Sequence, residues 1–184
     1  MVKFTSKLKR KIKVGIVMDY KNNQVRKVCG FYVNESHLTN ILLPHINRRI
    51  KEGVTIITIL EDDLINNVKE LLSRINLNQD TQEKILEINW TRKQCKYSQI
   101  KEQLNEKDVN KIDIIIKGSK EYIEIANLNI EKAIKNVQGK EINVINCYEI
   151  GEDKDIDYII ENYDFKLETS GLKKIEKLNK TRIS

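Results

Sequence analysis

Apolar and polar positions change period three times between residues 25 and 60. Residues 25–33 form an apolar-rich run with extended character. Leu38, Ile41, Leu42, Ile46 and Ile50 then recur at helical spacing behind Ser36, a good N-cap. Glu52 and Gly53 close that helix, and residues 54–60, VTIITIL, form a continuous β-branched run suited to a central parallel strand covered on both faces. Pro44 inside the helix forfeits one backbone hydrogen bond and predicts a kink.

The same reading covers the rest of the chain. Residues 12–20 and 25–33, joined by a polar turn, predict an N-terminal β-hairpin. Past residue 60, Leu64, Ile65, Val68, Leu71, Leu72 and Ile75 mark a second helix, with Glu61, Asp62 and Asp63 placed to complement its dipole. A short strand over 84–90, a polar helix over 98–104 and a buried strand over 112–116 follow. A long helix over 119–137 carries Tyr122, Ile125, Ala126, Leu128, Asn129, Ala133 and Val137 for packing. Residues 142–148, INVINCY, predict another strand. A helix over 155–163, an edge strand over 165–167 and a basic tail complete the pattern.

Strands alternating with helices imply a three-layer α/β fold: a largely parallel sheet with helices on both faces, opened by the hairpin. Residues 1–11 read as a basic extension, 12–168 as one α/β domain and 169–184 as a basic tail. The 184 residues suffice for one substantial core, built mainly from Ile, Leu and Val because Phe and Trp are scarce. No run approaches the ~18 apolar residues that span a bilayer. The first residues lack the pattern of a secretory signal, so a cytoplasmic protein without membrane contact is expected.

Charge is concentrated. Residues 1–27 hold nine basic residues against Asp19 alone, so this segment carries +8 of a chain whose net charge is +6. Lys7, Lys9, Arg10, Lys11 and Lys13 are therefore the candidate nucleic-acid contacts, with Lys173, Lys174, Lys177, Lys180 and Arg182 adding charge. The segment lacks the interleaved aromatic residues that stack on single-stranded bases, and a solvated extension explains it equally well.

In parallel sheets, ligands bind beyond the carboxyl ends of the strands. That rule singles out Tyr32, Asn34 and Glu35; Glu61 and Asp62; Trp90; Lys117 and Ser119; and Tyr148 as the candidate ligand-binding set. Its tyrosines, tryptophan and acids suit a planar or polar small molecule. Ordinary chemistry explains many of these positions too: acids cap helices, and Lys-Gly-Ser makes a turn. The first strand-to-helix turn, Tyr32-Val33-Asn34-Glu35-Ser36, has no glycine-rich phosphate loop, and the chain contains no GxxxxGK[ST] string. Catalytic nucleotide chemistry therefore lacks its usual cradle.

Three cysteines without CxxC spacing and two histidines eight residues apart give no metal set, and no cofactor is expected. Cys147 is a candidate nucleophile only by its place near a strand end. Strand alternation offers a packing role instead, with Asn143, Ile145, Cys147 and Glu149 on one face and Ile142, Val144, Asn146 and Tyr148 on the other.

Residues 25–150 resemble the MEDS domain, a sensory domain of methanogen and methylotroph regulators such as the dichloromethane-responsive repressor, related to the RecA/KaiC-like architecture but without the P-loop. The matching stretches are Phe31-Tyr32 followed by Asn34-Glu35, LTNILLPHINRRIKEG, VTIITILEDD, IKGSKEYIEIANLNIEKAI and INVINCYEI. Two marks depart from the family pattern. Lys27 lies near the position of a histidine ahead of the first tyrosine, and Cys147-Tyr148-Glu149 replaces a Cys-x-Tyr-Asp ending. The resemblance implies a sensory or regulatory domain. Residues 151–184 provide no convincing helix-turn-helix, so signalling would run through a protein partner or the basic arm. Three functions follow in order: a non-enzymatic ligand-binding sensor, a nucleic-acid-associated regulator, and a degenerate nucleotide-binding protein. A homodimer is the default assembly.

Overall fold

A computed structural model of the chain describes residues 24–92, 97–151 and 156–176. Six strands form one sheet in the order β2-β3-β4-β1-β5-β6. These are β1 (Gln24–Tyr32), β2 (Thr55–Leu60), β3 (Lys111–Lys117), β4 (Glu141–Glu149), β5 (Phe165–Glu168) and β6 (Gly171–Lys174). Every neighbouring pair is parallel except β5 with β6. The helices are α1 (Glu35–Lys51), α2 (Ile65–Arg74), α3 (Gln79–Glu87), α4 (Tyr97–Leu104), α5 (Lys120–Ile134) and α6 (Ile156–Ile160).

Alternation along the strands distributes side chains to two cores. Val28 and Tyr32 of β1, Ile115 of β3 and Ile145 and Cys147 of β4 pack under α1, α2 and α3. Ile112, Ile114 and Ile116 of β3 and Ile142 and Val144 of β4 pack under α4 and α5. Cys29 and Phe31 join Tyr163 and the α6 isoleucines in a smaller cluster. The result is the expected three-layer α/β architecture. Burying each of these isoleucines contributes roughly 1.5–3 kcal/mol, so the Ile-rich strands compensate for the shortage of aromatic residues.

Local chemistry sets the ends of the helices. Asn34 caps α1 by accepting from the His37 N–H, and α1 runs unbroken through Pro44. It ends at Glu52, and Gly53 takes a φ of 70°, a left-handed conformation that glycine adopts without steric cost. Ser119 caps α5.

Several expectations change. The first strand of the predicted hairpin lies outside the described residues; its second strand, β1, is flanked by β4 and β5, parallel on both sides. The predicted strand over 84–90 is instead helix α3. Asn78 caps it through the Thr81 N–H, and Thr81 and Ile85 are buried one turn apart, a period of four that the short apolar run conceals. Ile125 and Leu128 are more than half exposed, whereas Ile123, Ala126 and Ile130 form the buried face of α5. The strand over 165–167 is not the sheet edge: part of the expected tail, residues 171–174, adds β6 outside it. Among the described residues no helix is long and apolar enough to cross a membrane.

The topology creates two crevices. The chain leaves β1 for α1 and β2 for α2 on one face, and leaves β3 for α5 and β4 for α6 on the other. In the observed strand order, exits to opposite faces meet between β2 and β3 and again between β4 and β1. These are the places where open parallel sheets accept ligands.

Candidate functional site

The crevice between β2 and β3 is filled by the chain's own charges. Glu61 accepts from the Ser119 backbone N–H at 2.5 Å and from the Ser119 hydroxyl at 3.2 Å, so a carboxylate occupies the N-terminus of α5. Gly118 permits this approach, because a Cβ there would stand 2.8 Å from Glu61 Oε2 and 2.7 Å from the Tyr122 ring. Lys117 extends toward Asp62 at 3.2 Å and Glu35 at 3.4 Å, with its own side chain only 3% exposed. Asp63 accepts from the Arg92 backbone N–H at 2.5 Å. The three acids expected to cap α2 therefore act elsewhere, and the N-cap position of α2, Leu64, makes no side-chain capping bond.

The crevice between β4 and β1 is sutured by the backbone, with the Ile150 N–H donating to the Tyr32 carbonyl at 2.7 Å. Tyr32 itself is 1% exposed among α1 residues, and burial raises its phenol pKa. Trp90 is equally buried, donating its indole N–H to the Ile85 carbonyl at 2.7 Å. Both are core residues. Asn34 is fully explained as a cap.

Tyr148 leads to an open site. It lies on the α5/α6 face of β4, stacked on Phe31 at 6.1 Å and edge-on to Tyr163 at 6.3 Å. Tyr148 and Tyr163 share a hydrogen bond of 2.7 Å between their hydroxyls, and Asn146 Nδ2 donates to the Tyr163 hydroxyl at 2.6 Å. All three border a cavity of about 430 Å³ between α5, α6 and the sheet, also lined by Val144, Leu128 and Tyr158. Burial pushes both phenol pKa values up, so Tyr148 and Tyr163 stay protonated and uncharged. Asn146 is 3% exposed, and its Oδ1 has no hydrogen-bond partner. A buried amide carbonyl left unpaired costs ~1–3 kcal/mol.

Charged residues line this cavity in balance. Lys27 pairs with Glu131 at 3.5 Å, and Lys120 sits 5.9 Å from the Tyr158 ring centroid, with Glu124 one helical turn along α5. The α6 wall is five residues long and contains no fully buried residue.

Of the nine sequence candidates, only Tyr148 reaches the cavity. Glu35, Glu61, Asp62, Lys117 and Ser119 gather in the other crevice, tied to one another. Asn146, Tyr158 and Tyr163 escaped the sequence reading. Asn146 carried one usable signal, a polar residue on a covered face of its strand, a mark that Asn143 shares on the opposite face. Lys7, Lys9, Arg10, Lys11 and Lys13 lie outside the described residues.

The remaining reactive side chains have structural settings. Burial pushes the Cys147 thiol up to about 12 and the Cys29 thiol up to about 11, opposite to what a nucleophile needs. His37 accepts from the Val33 N–H, and His45 is buried against Asp113. Among the described residues no three His, Cys, Asp or Glu side chains are grouped to hold a metal ion. Neither protein-family models nor the curated proteins yield a match to this chain.

Proposed function

We propose that this chain is a non-enzymatic sensory or regulatory domain that binds a small molecule in the cavity under α5 and α6 and signals through a partner. The observation that carries this reading is the cavity itself, walled by apolar Val144, Leu128 and Ile159, by the un-ionised phenols of Tyr148 and Tyr163, and by basic and acidic residues in equal number. Size supports it as well, since small-molecule sites commonly fall between ~300 and ~1,000 Å³. The resemblance to the MEDS domain points to the same class.

The signalling route follows from unequal packing. Helix α6 covers the ligand without a fully buried residue of its own, so it belongs to the part of the fold that opens at low free-energy cost. A ligand touching Tyr158 and Ile159 would bias its position and change the surface offered to a partner.

A nucleotide phosphate at the Ser119 N–H and hydroxyl would have to displace Glu61. Native mass spectrometry of freshly purified protein, beside its denatured mass, tests the proposal. Noncovalent mass is expected on the native chain and reduced on Leu128→Trp, which narrows the cavity from an exposed position. A bare chain, with no compound of a small-molecule library raising the Tm of wild type above that of Leu128→Trp, would overturn it.

A further inference from the structure

We infer that the outward face of α5 is a self-complementary contact surface through which two copies of this chain pair, with their α5 helices antiparallel. Nothing in this contact requires that the cavity hold a ligand.

The residue pattern of α5 supplies the surface. Ile123, Ala126, Ile130, Ala133 and Ile134 are buried on the face toward the sheet. Glu121, Ile125, Leu128, Lys132 and Lys135 follow one another at alternating spacings of four and three, which sets them in one row on the opposite side of the helix. All five are exposed, Ile125 at 58% and Leu128 at 57%. Two aliphatic residues at the centre of such a row, with charges at both ends, form the layout of a helix-packing seam. The dipole of α5 accounts for an acid in its first turn and a lysine in its last. It does not account for two aliphatic side chains facing water between them.

The register identifies the partner. In a two-fold contact, residue i of one copy meets residue j of the other, and j meets i in return. Ile125 with Leu128 and Glu121 with Lys132 share one midpoint, between Ala126 and Asn127. Antiparallel α5 helices meeting at that point place Ile125 on Leu128 of the partner subunit and Glu121 against Lys132 of the partner subunit, each contact occurring twice. Among the described residues, neither Glu121 nor Lys132 has an ion-pair partner within its own chain. A partner of unrelated sequence would have to reproduce both the apolar step and the order of charges. This helix already carries its own complement.

Sedimentation velocity of the full chain, over a concentration series from micromolar to millimolar, tests the inference. Wild type is expected to pass from monomer to dimer. Glu121→Lys sets lysine against lysine and Lys132→Glu sets acid against acid, so each should raise the dimer Kd about tenfold or more. In an equimolar mixture of these two variants, one copy supplies lysine at both positions and the other glutamate at both. Both charge pairs are then restored, and the mixture should dimerise with a Kd close to that of wild type. Leu128 also lines the cavity whereas Ile125 does not, so Ile125→Glu tests the apolar step outside the ligand site and should likewise weaken the dimer. Far-UV circular dichroism of each variant should match wild type, because every substituted side chain is exposed.

A wild type that stays monomeric throughout the series would overturn the inference. A dimer left intact by Glu121→Lys, Lys132→Glu and Ile125→Glu would assign the contact to another surface and overturn it equally. Weakened single variants that fail to recover when mixed would overturn the antiparallel register.

Discussion

Arg49 grips Asp113 at two points, Nε on Oδ2 and Nη2 on Oδ1, both at 2.9 Å, while His45 from the preceding turn of α1 meets Oδ2 at 2.8 Å. Asn143 of the neighbouring strand donates to Oδ1 at 2.7 Å. A fully buried carboxylate in the middle of β3 thus fixes the register of α1 over the sheet. Both carboxylate oxygens are answered, although Asn143 Oδ1 itself has no partner, and removing a partner of Asp113 leaves charge buried without an answer.

Asp113→Asn should therefore destabilise the protein by ~3–5 kcal/mol near neutral pH. Burial alone would raise the Asp113 pKa, but hydrogen bonds from His45 and Arg49 outweigh it and hold the carboxyl below its ordinary range. A depressed folded-state value contributes stability above the unfolded pKa of about 3.9, and that contribution is lost as pH falls through the folded value. Urea denaturation at neutral pH and in the acid limb should show the gap between wild type and Asp113→Asn narrowing below pH ~4. A gap that stays constant into acid would mean that Asp113 ionisation does not stabilise the fold.

Lys117 is a buried cation with the opposite expected outcome. Its partners Glu35 and Asp62 have side chains 42% and 68% exposed, so water can solvate both once the ammonium is gone. Lys117→Met keeps the buried stem and should change stability by no more than about 1 kcal/mol. Chemical denaturation checks this, and a loss comparable to that of Asp113→Asn would show that the two acids depend on the lysine.

Glu61 stands where an anion would bind, at the Ser119 N–H and hydroxyl that begin α5. Glu61→Ala should cost ~0.3–1 kcal/mol, because the Ser119 donors are exposed and water replaces the charged acceptor at the helix N-terminus. Inorganic phosphate should then raise the Tm of Glu61→Ala while leaving wild type unchanged at the same ionic strength. If phosphate raised the Tm of both equally, the carboxylate would not be what fills that turn.

The sequence revealed the strands more fully than the site, for physical reasons visible at single residues. Runs such as residues 54–60 and 112–116 declare buried parallel strands by composition alone, and Ser119 as a cap is a local matter. The strand-end rule gathered residues that do meet at one crevice, but burial of Tyr32 and Trp90 depends on α1 and α3 closing over them, which no local pattern records. Glu61, Asp62 and Asp63 looked like caps for the helix that follows them because capping is a local rule. Their actual partners, Ser119, Lys117 and Arg92, lie at least 29 residues away. Asn146 and Tyr163 are 17 residues apart and meet only because β5 runs beside β1 with α6 across the face. Long-range pairing created the cavity, and the one-dimensional pattern contained only two asparagines in one strand, Asn143 and Asn146, with no sign of which borders it.

The basic segment carries the last prediction. Arg26 and Lys27 are ion-paired within the fold, but the seven basic residues against one acid within residues 1–23 are enough to hold a phosphate backbone without base recognition. Binding of this kind releases counterions, with log K falling by about 0.9 per phosphate contact for each unit of log salt on duplex DNA. Substituting Lys7, Lys9, Arg10, Lys11 and Lys13 together by Gln should flatten that slope by several units and leave the thermal unfolding of the domain unchanged. Fluorescence anisotropy with a labelled duplex of arbitrary sequence, titrated at several salt concentrations, measures the slope directly. Affinity that is absent at low salt, or that keeps its slope after the five substitutions, would remove nucleic acid from the account of this segment.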